Sequence, residues 1–441
     1  MKIGFGNIWR VAWPAILTNL LISSVGLYYL RLVSDAGTDA IAAVTAGHRV
    51  FVLLQAVLMG LSVATTARVA ASWGSKQPAR SAIWTWQSLY LSWILSAIIF
   101  LLVFWQGEAL AALFGLKAAG AEALHGYLTV LLAFNMFHAT GVILSAAFRA
   151  TGDSRTPMLF TLGSTIINLI LSTILVDARP TGGESMGVYG VALAGGVAPL
   201  LAFSLFYFRW RGDRYMFAGG ERPAINSRDA AALVRTGIPA AMEQLAIHGS
   251  LLVFMIYVGF YGTEAFAAFG VAIALLAILI VVAYGYGIAG AAASGQRYAR
   301  GELGAVRLVV ARTAILSVSS LSVLAILFIA YSDVIASALL ENDYVAAITA
   351  PYFRYLAPIL PLMAAENAVT GALRGMGDTG FALRSTVSGI AVRLLAGGVV
   401  VWFEYPVEWL FSTLFLDYLV KLFLVSRRLW LMTSEGAESH G

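Results

Sequence analysis

Residues 266–295 read FAAFGVAIALLAILIVVAYGYGIAGAAASG, thirty positions without one charged side chain. At about 1.5 Å per residue, a helix of that length reaches roughly 45 Å, more than the roughly 30 Å hydrocarbon core of a bilayer. A single segment crossing lipid must satisfy its own N–H and C=O groups, which only a helix does. Eleven further apolar stretches of spanning length lie near residues 10–33, 41–67, 82–106, 122–147, 156–178, 187–208, 231–260, 308–331, 345–373, 382–403 and 406–426. The expected fold class is therefore all-α, a polytopic membrane protein with about 12 transmembrane helices.

Composition excludes the main alternatives. Of 441 residues, 60% are apolar and 12% charged, and the mean hydropathy is +0.83; soluble domains carry about 25% charged residues. A cytosolic enzyme, a nucleic-acid binder and a disordered scaffold all fall outside that range. Lys and Arg number 28 against 23 Asp and Glu, a surplus that bears on topology and not on a polyanionic partner, so no nucleic acid is expected. The absence of cysteine removes disulfides, thiolate metal sites and cysteine nucleophiles. The first apolar stretch lacks a small-residue cleavage site and reads as a span, not a removable signal peptide.

Cations mark one side of the membrane. Arg68, Lys76 and Arg80 follow the second span, Arg149 and Arg155 the fourth, six Arg lie from Arg209 to Arg235, and Arg297, Arg300 and Arg307 follow the eighth. The opposite connections hold Asp35, Asp39, Glu108, Asp177, Glu184, Glu264, Asp333, Glu341, Asp343 and Glu404. By the positive-inside rule both termini are cytoplasmic, and the protein is expected to be multi-pass in the cell inner (plasma) membrane. The longest polar connection contains Gly219, Gly220 and Pro223 and divides the chain into expected lobes 1–210 and 229–441, six helices each, with a cytoplasmic linker at 211–228 that tolerates insertion.

The two halves repeat. An offset of 225 residues brings Arg10 onto Arg235, Pro14 onto Pro239, Gly37-Thr38 onto Gly262-Thr263, Gly60 onto Gly285 and Arg149 with Gly152-Asp153 onto Arg374 with Gly377-Asp378. Because the repeat covers six spans, the two pseudo-symmetric lobes share one orientation and are expected to rock about a central site. In each half a Gly closes a helix on the cytoplasmic side and an Arg faces its negative end.

Ionisable groups inside a span are costly, which makes them functional candidates. Glu243, one turn after Pro239 in the seventh span, and Glu366, mid-way along the tenth, are expected to titrate in a polar cavity or to bond neighbouring helices. Arg393 in the eleventh span is a fixed partner for one of these acids or a substrate-contacting group. His248 stands about 140° round the helix from Glu243 at 100° per residue, and reads as an interhelical hydrogen bond or a proton relay. Asp417 and Lys421 suit an i,i+4 pair, as do Arg31 and Asp35, with Tyr28 and Tyr29 turned toward the cavity or the interface.

Two motif matches carry no chemistry. Gly285-Tyr286-Gly287-Ile288-Ala289-Gly290 fits a dinucleotide pattern but lies inside a span without a preceding strand, so close helix packing accounts for it. Gly375-Met376-Gly377-Asp378 fits an intramembrane aspartyl protease signature, yet its repeat partner Thr151-Gly152-Asp153 lies at the same depth and no second aspartate forms a dyad.

Trp13-Pro14 in the first span, Gly37-Thr38-Asp39-Ala40-Ile41-Ala42-Ala43-Val44 opening the second and Phe148-Arg149-Ala150-Thr151-Gly152-Asp153-Ser154-Arg155-Thr156-Pro157 after the fourth form one ordered set. Ile167-Asn168 follows them, and Gly262-Thr263-Glu264-Ala265 and Ala372-Leu373-Arg374-Gly375 answer them in the second half. In order and spacing the set resembles the multidrug and toxic compound extrusion (MATE) family, in its prokaryotic DinF-like branch. The resemblance covers nearly the whole chain and implies an antiporter that exports amphipathic organic compounds against H+ or Na+ by alternating access, with no other cofactor and no resident metal. It also implies a monomer whose partners are a small-molecule substrate and the lipid bilayer. In that branch an acid stands where this chain has Tyr29, and an Asp follows the fifth-span Asn where Asn168 is followed by Ser172. Of the family's site only Asn168 carries over directly; the cost of intramembrane charge adds Glu243 and Glu366 as candidate cation-coupling residues, with Tyr29, Asn168, Ser172, His248 and Arg393 as candidates for the substrate cavity. A flippase for a lipid-linked precursor is the alternative transporter, though Arg393, Arg31 and Arg49 are few cations for one. A membrane-embedded enzyme is disfavoured, since the spans offer no metal-ligand cluster, nucleophile elbow or paired aspartates.

Overall fold

The structure is a computed structural model that describes residues 4–32, 38–113, 118–176, 186–212, 223–339 and 343–434. The first half comprises helices α1 (Phe5–Leu32), α2 (Thr38–Gly74), α3 (Pro78–Leu113), α4 (Ala118–Ala133), α5 (Asn135–Thr151), α6 (Arg155–Val176) and α7 (Gly187–Gly212). The second comprises α8 (Ser227–Gly259), α9 (Thr263–Tyr298), α10 (Leu303–Ala330), α11 (Ser332–Leu339), α12 (Asp343–Leu356), α13 (Ile359–Gly375), α14 (Thr379–Trp402) and α15 (Val407–Ser434). Among the described residues nine helices are each long and apolar enough to cross a bilayer, and two bent pairs supply two more crossings. With the 28 residues of α1, these are the all-helical polytopic architecture expected from the sequence.

The repeat is visible in the helix starts. Thr38 and Thr263, Pro78 and Leu303, and Ala118 and Asp343 open corresponding helices, each pair 225 residues apart. The chain forms two compact units, one of Leu17–Ala241 and one of Met1–Ile16 with Met242–Gly441. Both divisions fall two residues after a repeat proline, Pro14 in α1 and Pro239 in α8.

The fourth and tenth spans, which read as continuous from sequence, are each broken. Gly120–Ala133 and Asn135–Thr151 meet at 52°, and Thr349–Leu356 and Ile359–Gly375 at 43°. Pro358 caps the second break, where its ring and missing N–H prevent the helix from continuing. The first break has no proline. There the Asn135 amide donates to Ser96 Oγ at 3.1 Å and accepts from Gln55 Nε2 at 2.9 Å, so the polar group at the bend is satisfied by α2 and α3.

The Gly-Asp corners each end one helix and start the next. Gly152 (φ 100°) and Gly377 (φ 90°) adopt the left-handed conformation that Gly tolerates best. Their N–H groups donate to the carbonyls of Arg149 and Arg374, and those of Asp153 and Asp378 to Phe148 and Leu373. Asp153 then accepts from the backbone N–H groups of Arg155 and Thr156 at 3.0 and 3.1 Å, and Asp378 from Phe381 at 3.3 Å. The aspartate thus caps the free N–H groups of the following helix.

In the unit containing α9 and α13, glycines set the spacing. A Cβ at Gly371 would lie 2.8 Å from Gly287 Cα, and one at Gly375 2.6 Å from Ala291 Cα, closer than real side chains come. Gly285-Tyr286-Gly287-Ile288-Ala289-Gly290 is therefore a helix-packing surface. Above it lies an aromatic core in which Phe269 stacks on Phe411 at 5.4 Å between centroids, with Tyr352 edge-on to Phe411 at 4.8 Å.

Part of the expected linker, residues 213–222, lies outside the described residues, as do Asp35 and the Arg31 side chain. Its far end is anchored to α3: Tyr90 donates to Pro223 O at 3.1 Å, Gln87 to Ala224 O at 2.7 Å, and Arg80 grips Asp229 with bonds of 2.6 and 3.0 Å. These ties hold the end of the connection from Pro223 onward, and bear on insertion there alone.

Candidate functional site

Glu366, Thr370 and Arg374 stand four apart on α13, so they form one stripe along its face. Glu243 and Ser250 on α8, and Thr386 and Arg393 on α14, share a seven-residue spacing that puts each pair on one side of its helix. Thr386 Oγ1 donates to Glu243 Oε1 at 2.7 Å, and Arg393 Nη2 to Ser250 Oγ at 2.5 Å. Two rungs seven residues apart thus join α8 to α14.

Glu243 and Glu366 are both buried, at 1% and 6% exposure, but they are held differently. Arg374 meets Glu243 with two bonds, Nη2 to Oε1 at 2.9 Å and Nε to Oε2 at 3.1 Å. With Thr386 added, Glu243 is a clamped carboxylate in the geometry that guanidinium favours. Glu366 makes no ion pair among the described residues and accepts from Thr370 Oγ1 at 2.5 Å. It is a buried acid with a hydroxyl beside it.

A second ionic group lies between α14 and α15. Asp417 is fully buried, 3.1 Å from Arg393 Nη1 and 2.7 Å from Lys421 Nζ. Arg393 also lies over the Phe254 ring at 5.6 Å, and Lys421 over Tyr418 at 4.9 Å. Gly389 permits this contact: a Cβ there would lie 2.7 Å from Lys421 Cγ and 2.8 Å from Asp417 O. Glu243, Glu366, Asp417, Arg393 and Lys421 are thus buried and Arg374 partly so on α8, α13, α14 and α15, three acids against three bases, the balance that low-dielectric burial favours.

In the other unit, Tyr29 donates to Asn168 Oδ1 at 2.7 Å and is 6% exposed, packed among Ile99, Tyr127, Leu128 and Val191. Tyr28 bonds Thr173. Ser172 is fully buried and donates to the Leu169 carbonyl of its own helix at 3.1 Å. Tyr29 and Asn168 are thus brought together, while Ser172 is turned onto its own backbone.

Several sequence expectations change. Arg393 is the partner of Asp417 and not of Glu243 or Glu366. Arg374, expected only to face a helix end, is the counter-ion of Glu243. His248 is exposed on the face of α8 away from buried Glu243, as their angular separation requires. The four-residue stripe on α13 was the one signal in the sequence for Arg374; nothing local marked Ser250 or Thr386.

The MatE family sequence profile matches residues 14–174 and 239–397. Among curated proteins, the chain is 24% identical over 372 residues to the "Probable multidrug resistance protein NorM" of Thermotoga maritima, covering 84% of this chain and 80% of that one. Among solved structures, it superposes with a TM-score of 0.91 at 18% identity on an outward-facing multidrug resistance MATE family transporter of the MOP superfamily, covering 98% and 96% of the two chains. A MOP superfamily transporter from Pyrococcus furiosus, described as having a binding pocket of reverse polarity, superposes with a TM-score of 0.86 at 18% identity, covering 97% and 96%. These structural likenesses concern the fold.

Proposed function

The chain belongs to the MatE family, a family of transporters and not of enzymes, and from that premise we propose that it exports amphipathic organic compounds in exchange for H+ or Na+, with Glu366 as the acid that takes up the ion. The cycle is alternating access of two lobes, residues 1–210 and 229–441, joined through 211–228. A ligand shifts such an equilibrium only through its different affinity for the two states. The family names of relatives, multidrug resistance and multidrug export, support the substrate class.

The observation that carries the reading is the contrast between the two buried acids. Glu243 is committed to Arg374 and Thr386, whereas Glu366 has a single hydroxyl on it and so can exchange a cation without breaking an ion pair. In the first lobe Tyr29 and Ser172 stand where the prokaryotic DinF-like branch has acids, and the Tyr29–Asn168 bond fills that position with a neutral contact. Coupling then resides in the second lobe. With few acids to meet a substrate, neutral or weakly charged amphipathic compounds are favoured over strongly cationic dyes. One chain holds both lobes, so a monomer suffices.

Reconstituted protein should move a fluorescent amphipathic dye uphill under an imposed proton gradient or an imposed sodium gradient, the two applied separately. Glu366→Gln keeps the size and the bond from Thr370 but not the charge, and should reduce ion-driven transport to background while leaving the fold intact. Normal transport by that variant under both gradients would overturn the reading.

Orientation is tested apart from transport. The positive-inside distribution puts both termini in the cytoplasm. The cysteine-free chain supplies the background for Ile225→Cys, at a side chain 60% exposed. A membrane-impermeant maleimide should label it in inverted vesicles and not in intact cells; labelling in intact cells would reverse the topology.

A further inference from the structure

α14 and α15 share an outer face of apolar side chains that ends in arginine. On α14 the exposed series is Arg384, Val387, Leu395 and Trp402, and on α15 it is Trp409, Leu416, Phe423 and Arg427, each at spacings that keep to one side of a helix. The two helices run antiparallel, with Arg428 near the end of α15 bonded to Asp378 at the start of α14. Arg384 and Trp402 stand 18 positions apart, and so do Trp409 and Arg427. At about 1.5 Å per residue that is about 27 Å of rise, close to the roughly 30 Å hydrocarbon core of a bilayer. With the Trp402 and Trp409 indoles 83% and 62% exposed at one end and guanidinium groups at the other, both ends of the face fall at headgroup depth.

The arginine end is held together by specific contacts. The guanidinium groups of Arg384 and Arg428 both lie over the Phe381 ring, each with its Cζ 5.5 Å from the centroid. Arg428 Nε donates to Asp378 Oδ2 at 2.7 Å, Asp378 also accepts from the Phe381 N–H at 3.3 Å, and Arg384 Nε donates to Gly380 O at 3.3 Å. Both arginines therefore spend Nε inside the protein, and among the described residues their Nη groups meet no acceptor. Those are the donors that fork onto phosphate oxygens. Arg427 is exposed and makes no ion pair among the described residues. Three cations against Asp378 leave two positive charges in surplus. The corner itself does not require them: 225 residues earlier, at the matching Gly-Asp corner, Leu159 stands where α14 has Arg384, and is 61% exposed.

We propose that this face is a binding site for an anionic phospholipid, its phosphate held by Arg384 and Arg427 with Arg428 beside them, and its acyl chains laid along α14 and α15 past Leu395 and Phe423. The apolar stripes fit the chains and the surplus charge fits the head. A zwitterionic head would bring its own ammonium against the same cations and lose most of that gain, so the site selects for net negative charge. Arg428 serves by fixing the ring on which Arg384 rests, while Arg384 and Arg427 supply the charge that has no acid of its own.

The test is lipid titration of the purified full-length protein in detergent, read by native mass spectrometry, with dioleoyl phosphatidylglycerol against dioleoyl phosphatidylcholine. The glycerol lipid should bind more tightly. Arg384→Gln and Arg427→Gln should each weaken it about fivefold and together about 25-fold, while binding of the choline lipid changes by less than about twofold. Arg384→Lys keeps the charge but not the fork, and should weaken it less than Arg384→Gln does. Both side chains are exposed, so all these variants should melt, without added lipid, as the native chain does. Arg155→Gln removes an exposed cation at the matching corner of the other half and should leave phosphatidylglycerol binding within about twofold of native. Glycerol 3-phosphate, which has the head without the chains, should not displace the lipid at equal concentration. Equal affinity for the two lipids, or native phosphatidylglycerol affinity in the double Gln variant, would overturn the site. A loss in Arg155→Gln as large as in Arg384→Gln would show a general basic surface in its place, and displacement by glycerol 3-phosphate a site for soluble phosphate esters; either result also defeats the proposal.

Discussion

Replacing Arg374 by Met is expected to leave little folded protein to extract from the membrane. The substitution strands Glu243, 1% exposed, with the Thr386 hydroxyl as its remaining partner. Removing one member of a buried pair costs about 3–5 kcal/mol, a large part of the roughly 5–15 kcal/mol that holds a domain folded. Glu243→Gln should be milder, because the Arg374 side chain it abandons is 15% exposed and retains some access to water. The double variant Glu243→Gln/Arg374→Met removes both charges and should recover most of the loss. Thermal stability by fluorescence-detected size exclusion ranks the three, and an Arg374→Met single variant as stable as the native chain would refute the clamp.

An added methyl group at Gly375 should be nearly as damaging. Gly375→Ala puts a Cβ 2.6 Å from Ala291 Cα, and since the obstacle is backbone, no side chain can swing away to make room. α13 and α9 must part, and overpacking of this kind costs about 1–3 kcal/mol, with further loss because the same displacement disturbs the stripe that carries Glu366 and Arg374. Gly380→Ala is the control: nothing lies within 4 Å of its Cβ position, and Ala favours a helix by about 1 kcal/mol over Gly. Opposite effects on melting temperature are expected, and equal effects would show that the close approach is not what Gly375 provides.

What the sequence made legible was set by periodicity and by short-range chemistry. The uncharged run at 266–295 declared a span, and the 225-residue offset declared the repeat that Thr38 and Thr263 now mark as helix starts. The Gly-Asp corners were readable because capping involves neighbours within four residues, and so was the opposition of His248 and Glu243, which follows from helical rotation alone. The break at Pro358 had a local cause, yet the one at Phe134 arises from Asn135 reaching α2 and α3, and no window of sequence reveals that. The same distinction governs the site. Intramembrane rarity marked Glu243, Glu366 and Arg393, and spacing paired Asp417 with Lys421. The partner of Glu243 lies 131 residues away, and both Arg374 and Arg393 could have answered it. Only the packing of α8, α13, α14 and α15 decides which cation meets which acid.

The dispersal of those charges over four helices also constrains how the protein is made. Each of α8, α13, α14 and α15 enters the bilayer carrying at least one ionised group, at an insertion cost of about 2.5–3.5 kcal/mol when it stands alone. Arg393 finds its acid on α15, which leaves the ribosome after α14, and until Asp417 arrives the nascent second half holds an unmatched cation in α14. The Arg393 charge is thus matched within this half only once α15 has entered the bilayer.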